Sequence, residues 1–387
     1  MIIKYFTDND LYKFSVMHAI QKLYPWSYVK YAFTNRGKTE FPEGFAARMR
    51  EEVDAMASLK LSQQEKKYIE KRCYFFDPVF IDFLEGYRYD PSEVQIIQKG
   101  GELNVTIEGY WYRTVLWEVP LLAIISELYF QMTGAVPAEV ETKAAIKAKA
   151  LNEIGADYSE FGTRRRFSFD VQDKVVAALQ ANSGDYFKGT SNVYLAMKYN
   201  TTPIGTMPHE WFMYHGAVFG YRSANIKGLE AWVEVYDGSL GIALTDTYTT
   251  DAFFNSFSLK QAKLFDGVRH DSGDPLVFAD KAMKFYEKNR IDPTSKTLVF
   301  SDSLNLESVK KIKEHVAGCM HDTYGIGTFF SNDVGAKPLN IVIKLTDVKP
   351  HKKDKTYLKA VKLSDVEGKH TGDEREIDLS LRTLGLQ

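Results

Sequence analysis

Apolar positions in the first third of the chain switch between a helical and an extended period. "DLYKFSVMHAIQKLYP" has the spacing of a helix, with Asp10 placed to cap it and Pro25 beyond its end. "YVKYAFTNRG" then alternates, Val29, Tyr31 and Phe33 on one face against Lys30, Ala32, Thr34 and Arg36 on the other, which predicts a strand. "LSQQEKKYIEKRC" predicts a charged surface helix after a Ser62 cap, and "LNVTIEGYWYR" a strand with Leu103, Val105 and Ile107 inward. Two further strands, "LNIVIKLTDV" and "TYLKAVKLSD", are expected near the end, joined by the solvated lysine-rich turn "KPHKKDK".

The middle of the chain has another rhythm. A helix from about Ala138 to Ile154 precedes short apolar runs that end in polar or glycine residues: "GIALTD", "DGVRHDSGD", "TLVFSDS" and "TYGIGT". Strands of a β/α barrel carry ligand groups at their C-terminal ends in this way, and a doubly wound sheet produces similar strings. The class is α/β either way.

Composition narrows the function. At 387 residues, two compact units or one large barrel with an added layer are expected. The 44% hydrophobic and 14% aromatic content supplies real cores. A net charge of −2 provides no global attraction for nucleic acid, so anionic ligands must meet local basic clusters. Cys73 and Cys319 are too few for a disulfide framework or a cysteine-rich zinc module and suit a reducing cytosol. "MIIKYFTDND" lacks the apolar core of a signal peptide. The run "TVLWEVPLLAIISELYF", interrupted by Glu118 and Pro120, is expected to fall short of a membrane span. A soluble, cytoplasmic protein is the expectation.

Several polar strings carry candidate chemistry. "GTMPHEWFMYHG" evokes a zinc-protease helix, but His215 follows His209 by six positions rather than four. That spacing turns the second imidazole roughly 240° around the axis, so the pair cannot share a metal. "VRHDSGDP" groups Arg269, His270, Asp271 and Asp274 in a turn, where Asp271 suits ribose hydroxyls or a metal and Arg269 an anion. Asp246 and Asp302 occupy comparable strand ends, so three carboxylates are expected to converge. "EFGTRRRFSFD", taken as a half-buried strand, puts Arg164 and Arg166 on one face and points one arginine into a cavity beside Phe161, a receptor for a flat anionic ring. "KGTSNVYLA" offers a helix start capped by Thr190 or Ser191. "YGIGTFF" lacks the third glycine of a dinucleotide fingerprint, and no phosphate-loop motif occurs.

In order along the chain, "DNDLYKFSVM", "YAFTNRG", "EFGTRRRFSFD", "KGTSNVYLA", "GTMPHEW", "ALTDTYTTDAFF", "VRHDSGDP", "FSDSLN", "YGIGTFFSND" and "KLSDVEGK" resemble the nicotinate phosphoribosyltransferase family. The resemblance implies an irregular β/α barrel of the type II phosphoribosyltransferase kind, residues 136–344, beside an α/β sandwich built from residues 1–135 and 345–387. It implies a head-to-tail homodimer with shared active sites. The implied reaction joins nicotinate to phosphoribosyl pyrophosphate, driven by ATP hydrolysis, for NAD biosynthesis, with Mg²⁺ as cofactor. His209 matches the histidine that ATP phosphorylates. Phe161 and Arg164 would hold the pyridine ring, with Tyr12 stacking from the partner subunit and Arg36 reaching the pyrophosphate from the neighbouring chain. Arg269 would contact anions, Asp271 the ribose hydroxyls, and Asp246 Mg²⁺ or phosphates. Ser301, Asp302, Gly327 and Thr328 would bind the 5′-phosphate.

Ser191 stands where the sister enzyme for nicotinamide has an aspartate. A fixed carboxylate there repels nicotinate, whereas a serine can donate to it. The resemblance implies neither a zinc domain nor a general base. Alternatives are a nicotinamide or quinolinate phosphoribosyltransferase and, from another class, a catalytically silent dimeric metabolite-binding protein.

Overall fold

The computed structural model describes residues 1–366 and 369–387; Glu367 and Gly368, within the "KLSDVEGK" string, lie outside the described residues. Its strands, in chain order, are β1 (Tyr28–Asn35), β2 (Val94–Lys99), β3 (Glu102–Tyr110), β4 (Asp157–Glu160), β5 (Phe187–Thr190), β6 (Thr202–Pro203), β7 (Ile242–Leu244), β8 (Gly267–His270), β9 (Thr297–Phe300), β10 (His321–Ile326), β11 (Ile341–Lys349) and β12 (Leu358–Lys359). Two sheets result. Seven parallel strands in the order β6-β5-β4-β10-β9-β8-β7 curl into a half-barrel, and five antiparallel strands in the order β12-β11-β1-β3-β2 form the second sheet.

The four strings that end in polar residues become β7, β8, β9 and β10, which lie side by side. Their polar tails therefore emerge at one end of the sheet, because parallel strands share a direction. In the second sheet Leu103, Val105 and Ile107 are buried, as the alternation predicts, and β1 pairs with both β3 and β11. Chain start and chain end thus meet in one layer, and β11 spans the expected boundary at 344/345. Ser62 caps the Gln63–Arg72 helix through a reciprocal capping box with Glu65.

Other expectations are corrected. "EFGTRRRFSFD" is no strand after Glu160: it turns through a short 3₁₀ segment, Thr163–Arg165, into a helix at Phe169 capped by Ser168. Asn192, not Thr190 or Ser191, caps the Val193–Lys198 helix, its side chain accepting from Leu195 N. The second closing strand is reduced to Leu358–Lys359, and the chain continues into a helix, Glu374–Leu384. Trp111–Met132 is helical throughout, long and apolar enough to span a membrane, yet 78% of its apolar window is buried inside the protein. Pro120 sits in the first turn of its Glu118–Met132 part, where its missing N–H is tolerated.

A buried polar layer fastens the N-terminal segment to the half-barrel. Arg166 makes a two-pronged ion pair with Asp8 at 2.6 and 2.8 Å, and Asn192 Nδ2 donates to the same carboxylate at 2.7 Å. Both charged side chains are fully buried. Arg166→Met is expected to destabilise the protein by about 3–5 kcal/mol, since it strands a buried carboxylate. Urea unfolding would register this as a lower midpoint, largely recovered by adding Asp8→Leu; an unchanged midpoint in the single variant contradicts the pairing.

Candidate active site

The loops that leave the C-terminal ends of six half-barrel strands, β4, β5, β6, β8, β9 and β10, contribute to one cavity of about 520 Å³. That volume falls in the usual range for a small-molecule site. The cavity wall includes Phe161 and Arg164 after β4, Ser191 after β5, His209 after β6, Arg269 and Asp271 at β8, Ser301 after β9, and Gly327 and Thr328 after β10. β11 closes the opposite side through Ile343, Lys344 and Leu345.

His209 is the first residue of the His209–Phe219 helix, after Pro208. Its Nδ1 lies 3.0 Å from Thr247 Oγ1, and its Nε2 lies 2.8 Å from Asp271 Oδ2 and 2.9 Å from Lys362 Nζ. Burial, reinforced by Lys362, lowers its pKa to about 4, so the imidazole is neutral at neutral pH. His215 belongs elsewhere: it is buried between Tyr24 and the Trp211 carbonyl. The two rings do point apart.

Asp271 links the histidine to the next loop, since Ser301 Oγ donates to Asp271 Oδ1 at 2.7 Å. Burial opposes its ionisation, but Arg269, His209 and Lys362 together hold it well below the usual carboxylate range. Asp246 is fully buried; it accepts from Ser272 Oγ at 2.7 Å and pairs with Lys362 at 3.1 Å, which outweighs burial and keeps its pKa low. Its Oδ1 has no hydrogen-bond partner among the described residues. One donor atom from each of His209, Asp246 and Asp271 lies within 4.8 Å of the others. An orphaned carboxylate oxygen beside a second carboxylate fits a hard cation such as Mg²⁺. Asp302 does not join them; its Oδ1 accepts from Ser303, and it lies outside the cavity wall. Two carboxylates converge here, not three.

At the other end of the cavity Phe161 packs against β10, where an added Cβ at Gly325 would overlap its ring. Tyr12 lines the same cavity, and an added Cβ at Gly205 would stand 2.8 Å from the Tyr12 backbone nitrogen, so glycine permits this approach. Tyr12 of the same chain thus reaches the cavity wall. Arg36 is not in that wall, and its charge acts on Arg165 and Lys344 of its own chain. Arg269 donates to Thr206 Oγ1. Ser191 donates its hydroxyl hydrogen to Asp10 Oδ1 at 2.7 Å, so in this state that hydrogen does not face a ligand. Asp10 accordingly leaves its expected capping role: it occupies the N-cap position of Leu11–Leu23 without a side-chain cap bond.

Sequence reasoning missed several groups. Lys344 lines the cavity, and burial, with Lys362 nearby, lowers its pKa to about 7. Glu118 lines it too, paired with Lys13 at 2.5 Å and lying 3.7 Å from Arg164. Lys13 also binds Glu210, the neighbour of His209, and Glu210 accepts from Tyr31. Lys344, on β11, and Lys362, beyond the end of β12, lay in plain alternating strings, with no local signal that they return to the half-barrel.

The sequence model of the nicotinate phosphoribosyltransferase (NAPRTase) family matches residues 156–384, and that of its N-terminal domain matches residues 7–126. The chain is 51% identical over 382 residues to a nicotinate phosphoribosyltransferase of Chromohalobacter salexigens, covering 98% of this chain and 97% of that protein. It is 50% identical over 386 residues to one of Desulforapulum autotrophicum, covering 99% of each. A crystal structure of nicotinate phosphoribosyltransferase from Porphyromonas gingivalis superposes with a TM-score of 0.97 at 46% identity, covering 99% of this chain and 100% of that one. A Vibrio cholerae structure with the same name superposes with a TM-score of 0.93 at 33% identity, covering 100% and 95%. By sequence over nearly its whole length, and by fold, this chain belongs to the nicotinate phosphoribosyltransferase family.

Proposed function

We propose that the protein condenses nicotinate with phosphoribosyl pyrophosphate to nicotinate mononucleotide and pyrophosphate, coupled to ATP through phosphorylation of His209. The observation that carries this reading is the neutral His209 imidazole facing the same cavity as Phe161, Arg164 and Asp271. A cytoplasmic homodimer working in NAD biosynthesis is part of the proposal. Tyr12 of the same chain lines the cavity, and the Arg36 charge acts on Arg165 in its wall.

In the first stage Nε2 of His209 attacks the γ-phosphorus of ATP; an N–P bond forms and the bond to the ADP oxygen breaks. With the ring proton on Nδ1 and donated to Thr247 Oγ1, Nε2 carries the nucleophilic lone pair; it accepts from Lys362 Nζ at rest, and that hydrogen bond is given up as the N–P bond forms. Lys362 Nζ, beside Nε2, would meet the phosphoryl oxygens. Asp246 and Asp271 would hold Mg²⁺, which when bound neutralises phosphate charge.

In the second stage the ring nitrogen of nicotinate attacks the anomeric carbon, and the bond to pyrophosphate breaks; water then attacks the phosphohistidine, the N–P bond breaks, and inorganic phosphate leaves with His209 restored. Phe161 and Tyr12 orient the ring, and Arg164 attracts its carboxylate. Asp271 holds the ribose hydroxyls, while Ser301, Gly327 and Thr328 receive the 5′-phosphate. Lys344, Arg36 and Arg269 oppose the negative charge building on the leaving group. Asp302, outside the cavity wall, is left without a ligand role.

Product analysis with nicotinate and with nicotinamide, each with and without ATP, tests this. The mononucleotide is expected from nicotinate, with yield raised by ATP. Product from nicotinamide alone would replace the reading with an amide-specific enzyme. Absence of product from both would point to a metabolite-binding protein.

A further inference from the structure

The base end of the cavity contains a contradiction that the nicotinate reading leaves open. Ser191, a hydroxyl of the cavity wall and the residue expected to recognise the ligand's carboxylate, has its hydrogen directed at the carboxylate of Asp10. With its hydrogen held there, Ser191 Oγ can offer an approaching ligand only lone pairs. Lone pairs suit the N–H₂ of an amide and repel a carboxylate. An ionised Asp10 therefore prepares the site for the wrong base.

Asp10 cannot turn away. It is 2% exposed, its backbone bridges to Asn192, and it forms part of the cavity wall. Its surroundings are mixed: Arg164 and Arg166 favour its charge, Ser191 and Thr163 hydrogen bond to it, and Glu118, Glu160 and Tyr12 face it with negative or ionisable oxygens. Burial raises its pKa above the ordinary value, and Glu118 adds to the rise against Ser191, Arg164 and Thr163. Adding the negative charge of nicotinate to this group of oxygens disfavours a second anion there.

We propose that Asp10 is a positioning residue for base choice: it takes up a proton from solvent as nicotinate enters, donates it to Ser191 Oγ, and so turns the Ser191 hydroxyl hydrogen onto the ligand's carboxylate. No covalent bond changes. One proton passes from solvent to Asp10 Oδ1, the Ser191–Asp10 hydrogen bond reverses direction, and one from Ser191 to the ligand forms. Nicotinamide needs no such step, because its amide donates to the Ser191 oxygen while Asp10 stays ionised. The relay thus makes preference for the acid over the amide depend on pH. Where the free site holds an ionised Asp10 and the complex a protonated one, nicotinate affinity falls about tenfold per pH unit, and nicotinamide affinity does not follow. This inference rests on the nicotinate reading above.

Calorimetric titration of the full-length protein with nicotinate, in Tris and in Hepes, reads the proton directly, because the two buffers ionise with different heats. Wild type is expected to take up close to one more proton than Asp10→Asn, whose amide donates to Ser191 permanently. In that variant the pH slope of nicotinate affinity should flatten by about one proton. Lys344 is the other cavity group poised to gain a proton near neutrality, and comparing wild type with Asp10→Asn cancels its share. Asp10→Ser provides a second route if Asp10→Asn does not fold, since it too removes the titrating carboxyl and should remove the same proton. Equal proton uptake in wild type and in either folded variant overturns the relay. Failure of folded wild type to bind nicotinate at all would instead overturn the reading on which it rests.

Discussion

Incubation with ATP labelled at its γ-phosphate is expected to leave acid-labile phosphate on the wild-type protein and none on His209→Ala. The expectation follows from the surroundings of the ring. Its pKa is lowered to about 4 by burial and by Lys362, so the nucleophilic form is the resting form at neutral pH. Thr247 holds one ring nitrogen at 3.0 Å, while Lys362 stands 2.9 Å from the other. No other histidine is in the cavity wall among the described residues, and His215 is enclosed by Tyr24 and Trp211. The stimulation of product formation by ATP should vanish with the label, while slow uncoupled formation of the mononucleotide remains, because Phe161, Arg164 and Asp271 are untouched. Label persisting on the alanine variant would remove His209 from this role.

Ser191→Asp should reverse the choice of base. Asp10 Oδ1 lies 2.7 Å from Ser191 Oγ, so the substitution brings two carboxylates into contact at the ring-binding end of the cavity. One of the pair retains a proton, and the other presents a fixed negative charge to the ligand. Like-charge contact of this kind costs several kcal/mol, so kcat/KM for nicotinate is expected to fall about 100-fold or more. An amide can donate to the same carboxylate, so nicotinamide should lose much less or gain. Competition kinetics with both bases present gives the ratio directly, and an unchanged ratio would move base recognition away from Ser191.

The two expectations differ in how far the sequence alone could carry them. His209 was legible from "GTMPHEW" in its ordered company, and elimination of a shared metal with His215 needed only helical geometry. Phe161, Arg164, Arg269 and Asp271 likewise meet at one cavity. The strand ends of Asp246 and Asp302 look alike in sequence, but only Asp246 comes together with His209 and Asp271. The three arginines show the same limit. Alternation put Arg164 and Arg166 on one strand face, but a 3₁₀ turn sends Arg164 to the cavity and Arg166 into a buried pair with Asp8.

What the chain's own order of residues determined was local: periods that specify strands and helices, polar tails on β7 through β10, and the Ser62 cap. These depend on neighbours a few positions away, where sequence spacing is spatial spacing. The electrostatics of the site were decided only by the tertiary structure. Lys362 meets His209 across 153 positions, and Ser191 meets Asp10 across 181. No periodicity encodes such partnerships. They follow from packing the start and end of the chain against the half-barrel, which buries these groups together and makes each one's charge depend on the others.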